Sequence, residues 1–107
     1  MTDTLSPGLD ETAALADRAH AASRLLKLLA SEQRLLILCR LIDGESSVGE
    51  LAGHVSLAQS ATSQHLAKMR AEGLVATRRE GQTIFYRLAD PDTKRVLDTL
   101  CEIYRGK

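Results

Sequence analysis

The amino-acid sequence predicts a mainly helical domain carrying one two-stranded β-hairpin, and three observations lead there. Eighteen leucines and fourteen alanines dominate the apolar residues, Trp is absent, and Phe85, Tyr86 and Tyr104 are the only aromatics, a composition that favours helix. Apolar positions recur at three- and four-residue spacing up to Gly73 and then alternate over two short runs. Gly44, Gly73 and Gly81 stand where the patterns stop or turn.

Residues 1–9 hold Thr, Ser, Pro and Gly with little apolar content and read as a flexible tail, which leaves 10–107 as one domain. A first helix is expected from Asp10 to Ala30, with Ala14, Ala21, Leu25, Leu28 and Leu29 at helical spacing. Ser31 then offers a cap oxygen ahead of a second helix in which Leu35, Leu38, Cys39 and Ile42 repeat before Gly44. That helix is apolar nearly all round, which predicts a central place.

Ser47-Val48-Gly49-Glu50 fits a capping box, so a third, short helix runs through Leu51 and Val55. After Ser56-Leu57-Ala58 the pattern restarts at Gln59 and ends at Glu72, with Gly73 as a left-handed cap. Two helices joined by about three residues form a helix-turn-helix. Leu74–Arg79 and Thr83–Leu88 alternate around Glu80-Gly81-Gln82 as the hairpin. Asp90-Pro91-Asp92 opens a last helix whose apolar face holds Val96, Leu97, Leu100, Cys101, Ile103 and Tyr104.

Length and composition exclude several classes. A chain of 107 residues buries enough surface to fold without a disulfide or metal staple. The longest apolar run, Leu35 to Cys39, is far short of the roughly 18 residues a membrane helix needs. The acidic N-terminus lacks the basic start and apolar stretch of a secretion signal, so a cytoplasmic protein is expected. No nucleophile elbow, phosphate-binding loop, dinucleotide fingerprint or zinc-hydrolase motif is present, so neither an enzyme nor a bound cofactor is expected.

Formal charge is zero, 14 bases against 14 acids, which at first argues against a nucleic-acid partner. The zero is an average. Residues 1–23 carry four acids and one base, whereas residues 56–88 carry five bases and two acids.

Helix-turn-helix followed at once by a hairpin is the layout α-α-α-α-β-β-α of a winged helix, whose second paired helix enters the major groove while the wing grips the flanking backbone. On that helix Gln59, Ser60, Thr62, Ser63, Gln64, His65 and Lys68 place amides, hydroxyls and a cation where base edges are read. Arg78, Arg79, Gln82 and Thr83 of the hairpin suit phosphate or minor-groove contacts. A protein-docking winged helix is the rival reading. The surviving cations Lys68, Arg78 and Arg79 weigh against it.

The run Leu51-Ala52, then Leu57-Ala58-Gln59-Ser60-Ala61-Thr62-Ser63-Gln64-His65-Leu66-Ala67-Lys68-Met69-Arg70, Glu72-Gly73-Leu74-Val75 and Arg78-Arg79-Glu80-Gly81-Gln82-Thr83-Ile84-Phe85-Tyr86 resembles the ArsR family of bacterial winged-helix repressors. The resemblance covers about residues 24 to 104. It implies a homodimer joined through its first and last helices, bound to a palindromic double-stranded DNA operator and released by a small inducer. Twofold symmetry would set the two recognition helices roughly 34 Å apart. Two positions depart from the family pattern. Ala58 stands where a capping Ser is usual, with Ser56 or Ser60 as the available substitutes, and Thr62 stands where a Leu is usual, so that either the inner face formed by Ala61 or Thr62, Leu66 and Met69 is looser or Thr62 joins the DNA contacts.

Metal-sensing members carry Cys-x-Cys on the first helix of the pair or Asp/His sets on the last helix, and neither is here. His20, His54 and His65 lie on three different helices, so no metal site is expected. Leu36-Ile37-Leu38-Cys39-Arg40-Leu41 looks instead like the second helix of members that answer reactive sulfur or oxidants by joining a Cys there to one on the last helix. Cys101 supplies that second thiol one turn early, Arg105 occupying the usual position, and residues 101 and 105 share a helix face. The resemblance thus implies redox sensing by Cys39 and Cys101. Inert thiols in a repressor with no inducer, or with another one, is the competing reading.

Overall fold

The computed structural model describes residues 9–105. Of the tail expected over residues 1–9, all but Leu9 lies outside the described residues, and Leu9 already opens the first helix.

α1 (Leu9–Leu29) passes into α2 (Glu32–Ile42) through Ala30 and Ser31 alone. The sharp joint is closed from both sides. Ser31 Oγ accepts the Arg34 N–H at 3.3 Å, and Arg34 Nε donates to the Leu28 carbonyl at 2.6 Å, so one residue starts the second helix and satisfies the end of the first. α2 packs against α1, α3, α5 and β3, with Ile37, Leu38 and Leu41 buried, which is the central place its composition predicts. One side of it stays open at Leu36.

The box at Ser47 forms as expected: Glu50 N–H donates to Ser47 Oγ at 3.2 Å and Ser47 N–H donates to Glu50 Oε1 at 3.0 Å, starting α3 (Val48–Val55). Ser56 closes α3 in the left-handed region, and α4 (Gln59–Ala71) follows after Leu57 and Ala58. Neither Ser56 nor Ser60 replaces the missing cap: the start of α4 has no side-chain cap bond. At the far end Gly73, with φ +81°, lets its own N–H reach the Arg70 carbonyl and the Leu74 N–H reach the Met69 carbonyl. That double closure turns the chain back and buries Leu74.

β2 (Val75–Glu80) and β3 (Thr83–Leu88) pair antiparallel from Val75↔Leu88 to Glu80↔Thr83, leaving Gly81-Gln82 as a two-residue turn with Gly81 at φ +63°. A third strand, β1 (Ser46–Ser47), pairs with β3 through Ser46↔Tyr86 and Ser47↔Phe85, giving the order β1-β3-β2. The sequence reading has no such strand, because two serines carry no alternation. α5 (Pro91–Tyr104) starts at Asp90, whose carboxylate accepts the Asp92 and Thr93 N–H groups. None of the described helices is long and apolar enough to cross a membrane.

Leu29, Ile37, Leu38, Leu41, Leu51, Leu66, Met69, Leu74, Val75 and Leu97 form one core under all five helices and the sheet. The radius of gyration, 17.1 Å, exceeds the roughly 13 Å of a compact chain of this length. α1 accounts for the excess: its N-terminal half stands off the core with Leu15 exposed, and Leu26 follows at 61% exposure. Ile103 and Tyr104 at the end of α5 are likewise exposed. Large apolar side chains are thus left open on both the first and the last helix.

Candidate nucleic-acid interface and thiol pair

α4 turns Thr62, Leu66 and Met69 into the core. At 100° per residue the opposite side carries Ser60, Gln64 and Lys68, all exposed, with exposed Gln59 and half-buried Ser63 flanking one edge and half-buried His65 the other. Six of the seven polar residues expected on this helix therefore share its open surface or its margins. Thr62 does not. It is fully buried, and its hydroxyl donates to the Ala58 carbonyl at 3.0 Å, so it reaches no groove; the polar residue at a core position is accommodated by bonding its own helix.

In the wing the four expected residues separate by strand parity. Arg79 pairs across from Ile84, while Arg78 lies opposite Phe85 on the other face and Thr83 lies opposite Glu80. Arg79, Gln82 and Thr83 are exposed near the tip, and Arg79 and Lys68 have no ion pair among the described residues. Arg78 is differently placed. Its Nε sits 2.9 Å from both oxygens of Glu45, its Nη1 is 2.7 Å from Glu80 Oε2, and its guanidinium lies 4.7 Å above the Phe85 ring. The hydrogen bonds from Arg78 hold the Glu45 carboxyl below the usual carboxylate range, with the nearby charge of Arg87 adding to the effect. The sequence reading gives neither Glu45 nor Glu80 a role in the site. Glu80 shares a strand face with Arg78 and was legible in principle; Glu45 comes from 33 positions away and was not.

A second long-range ion pair, Arg24 to Glu72, ties α1 to the C-terminal cap of α4. The helix with the open apolar surface is thereby fastened to the helix with the open polar one.

Cys39 and Cys101 are free thiols whose sulfur atoms lie 3.6 Å apart between α2 and α5. Leu35, Leu100 and Tyr104 complete an apolar recess around them. Burial, reinforced by the hydrogen bond and proximity of Cys101, pushes the Cys39 thiol up to about 11. Among the described residues no three His, Cys, Asp or Glu side chains are grouped to hold a metal.

Residues 31–77 match the family described as bacterial regulatory protein, arsR family. Over a longer stretch of 80 residues, the chain is 52% identical to the transcriptional activator HlyU of Vibrio cholerae, covering 75% of this chain and 74% of that one. The chain belongs to the ArsR family. As an ArsR protein it is a DNA-binding transcriptional regulator, not an enzyme. It is also 43% identical over 91 residues to a biofilm growth-associated repressor of Agrobacterium fabrum, across 85% of this chain and 78% of the repressor. The ArsR fold recurs in reduced HlyU from Vibrio cholerae, with TM-score 0.83 and 46% identity over 87% of this chain and 98% of that one. A homodimeric winged helix-turn-helix DNA-binding domain from Mycobacterium bovis matches with TM-score 0.72 and 33% identity, over 92% and 88% of the two chains.

Proposed function

We propose that this regulator is a cytoplasmic, homodimeric repressor of a palindromic operator that lets go when Cys39 and Cys101 are joined. α4 is the reading helix, with Gln59, Ser60, Ser63, Gln64, His65 and Lys68 toward the major groove, and Arg79, Gln82 and Thr83 of the wing meet the flanking backbone. The uncapped amides at the start of α4 leave donors available to a phosphate at that end. Leu15, Leu26, Ile103 and Tyr104 support dimerisation through α1 and α5, since a solvated monomer gains nothing by exposing them.

The observation that carries the inducer reading is the 3.6 Å between the two sulfurs. A disulfide bond is about 2.05 Å, so closure brings the two sulfurs together by about 1.5 Å. The chemistry balances with a persulfide as donor. Cys101 takes the outer sulfur of the persulfide and releases a thiol; Cys39 then attacks the Cys101 sulfur, expels hydrogen sulfide and leaves a disulfide. A direct oxidant takes two electrons and two protons from the pair instead. Because α2 touches α3 and α5 while α1 is tied to α4 through Arg24 and Glu72, drawing α5 toward α2 alters how two subunits present their reading helices.

Operator affinity measured with and without a persulfide donor, on wild type and on Cys39→Ser, tests this function. Release of DNA by wild type alone is expected. Affinity unchanged by the donor in wild type leaves the inert-thiol reading standing, and salt-insensitive or absent DNA binding leaves the protein-docking one.

A further inference from the structure

Arg78 crosses the outer face of the whole sheet: it starts on β2, lies over Phe85 on β3 and ends on Glu45, just before β1. Glu45 takes Nε and Nη2 together, in the planar two-point geometry that only Arg provides, and Glu80 takes Nη1. Each guanidinium nitrogen therefore donates to a carboxylate of the protein, so a phosphate at this cation competes with two carboxylates already bound to it. With Arg87 the outer face holds two cations and two carboxylates, so it offers no net positive charge to DNA.

What the clamp joins is equally specific. β1 is two residues long, and among the described residues its pairing to β3 is the only strand pairing between the wing and the segment that leads from α2 into the helix-turn-helix. The Arg78–Glu45 contact adds a second tie between the same two pieces, from the other hairpin strand.

We propose that Arg78 is a positioning residue and not a phosphate contact: Glu45 and Glu80 hold it as a strut that sets the angle of the wing against α4 and withholds one cation per subunit from non-specific DNA. The inference rests on the reading of the hairpin as a DNA-contacting wing. It makes Glu45, which has no route to DNA of its own, a determinant of specificity.

The test measures affinity against salt concentration for the full chain on two duplexes, one recovered by selection from a random library and one scrambled duplex of equal length and composition. Each contacted phosphate contributes a slope of about 0.9 in log affinity against log salt. Glu45→Gln frees Arg78, so the slope on scrambled DNA should steepen by up to about 1.8 for two subunits, and the ratio of selected to scrambled affinity should fall several-fold. Arg78→Gln should leave the slope at its wild-type value while lowering that same ratio. Arg79→Gln serves as the reference and should flatten the slope. A flattening in Arg78→Gln equal to that in Arg79→Gln overturns the proposal, as does a Glu45→Gln protein with wild-type slope and ratio. If Arg79→Gln alone has no effect, it is the assignment of Arg79 to the backbone that fails, while Glu45→Gln still decides the role of Arg78. All three positions are exposed, and thermal unfolding of each variant confirms the fold.

Discussion

Cys39 Sγ lies 3.6 Å from Cys101 Sγ although 62 positions separate the residues. The two thiols meet because α2 runs through the centre of the domain and α5 returns across it with Leu97 buried against the same core. Cys101 falls one helical turn before Arg105, which caps the end of α5, and this earlier position addresses α2. Both thiols are half-buried, and burial favours the neutral thiol of Cys39.

Treating the protein with a persulfide donor should give an intramolecular link between the peptides carrying Cys39 and Cys101, lighter than the dithiol by two hydrogens for a disulfide and heavier by one sulfur for each atom inserted. Peptide mass mapping reads this directly. Links only between subunits, or none, would remove the geometric basis of the proposed response.

Cys39 should behave as a thiol and not a thiolate near neutrality, since its folded value is about 11 against an ordinary 9.0. The sign follows from which form the fold prefers. The neutral thiol is favoured, so its contribution to stability is complete below pH 9 and is lost as pH rises through about 11. Alkylation of Cys39 by iodoacetamide should keep accelerating across that window, and the unfolding midpoint of wild type should fall more steeply there than that of Cys39→Ala. Parallel curves for the two proteins would contradict the assignment.

Gln59→Ala or Gln64→Ala should weaken binding to a selected duplex by about 1 to 3 kcal/mol with little effect on a scrambled one. Thr62→Val should leave the preference among duplexes unchanged, because the only bond of its hydroxyl is to the Ala58 carbonyl and its surface is buried. A shift in base preference for Thr62→Val would return that residue to the groove.

Ala58→Ser should stabilise the protein by about 0.5 to 2 kcal/mol, because the extended backbone at Ala58 already suits a cap and no other side chain supplies one. Chemical denaturation checks this. An unchanged midpoint would mean that the first amides of α4 already have a partner of equal value.

Most of the fold was legible along the chain because its signals are local. The box at Ser47 and Glu50, the left-handed Gly73 and the Asp90-Pro91 start each act within a few residues and form where they are expected; the turn at Gly81 is one residue shorter than expected, because Glu80 joins β2. What differs has equally local reasons. β1 is too short to show a period, and Thr62, for which the inner face and the groove were both open, takes the inner face, where a hydroxyl bonded to its own helix is tolerable.

By itself, then, the sequence determined the order of the elements, the polar face of α4 and the presence of one cysteine among the apolar positions of each of two helices, since helix caps, turns and periodicity are written in neighbouring residues. Only the tertiary structure decided what those residues meet. The closeness of Cys39 to Cys101, the seizure of Arg78 by Glu45 and the tie from Arg24 to Glu72 all join positions more than thirty residues apart. Such contacts depend on how the helices pack over one core, and no spacing along the chain encodes that directly.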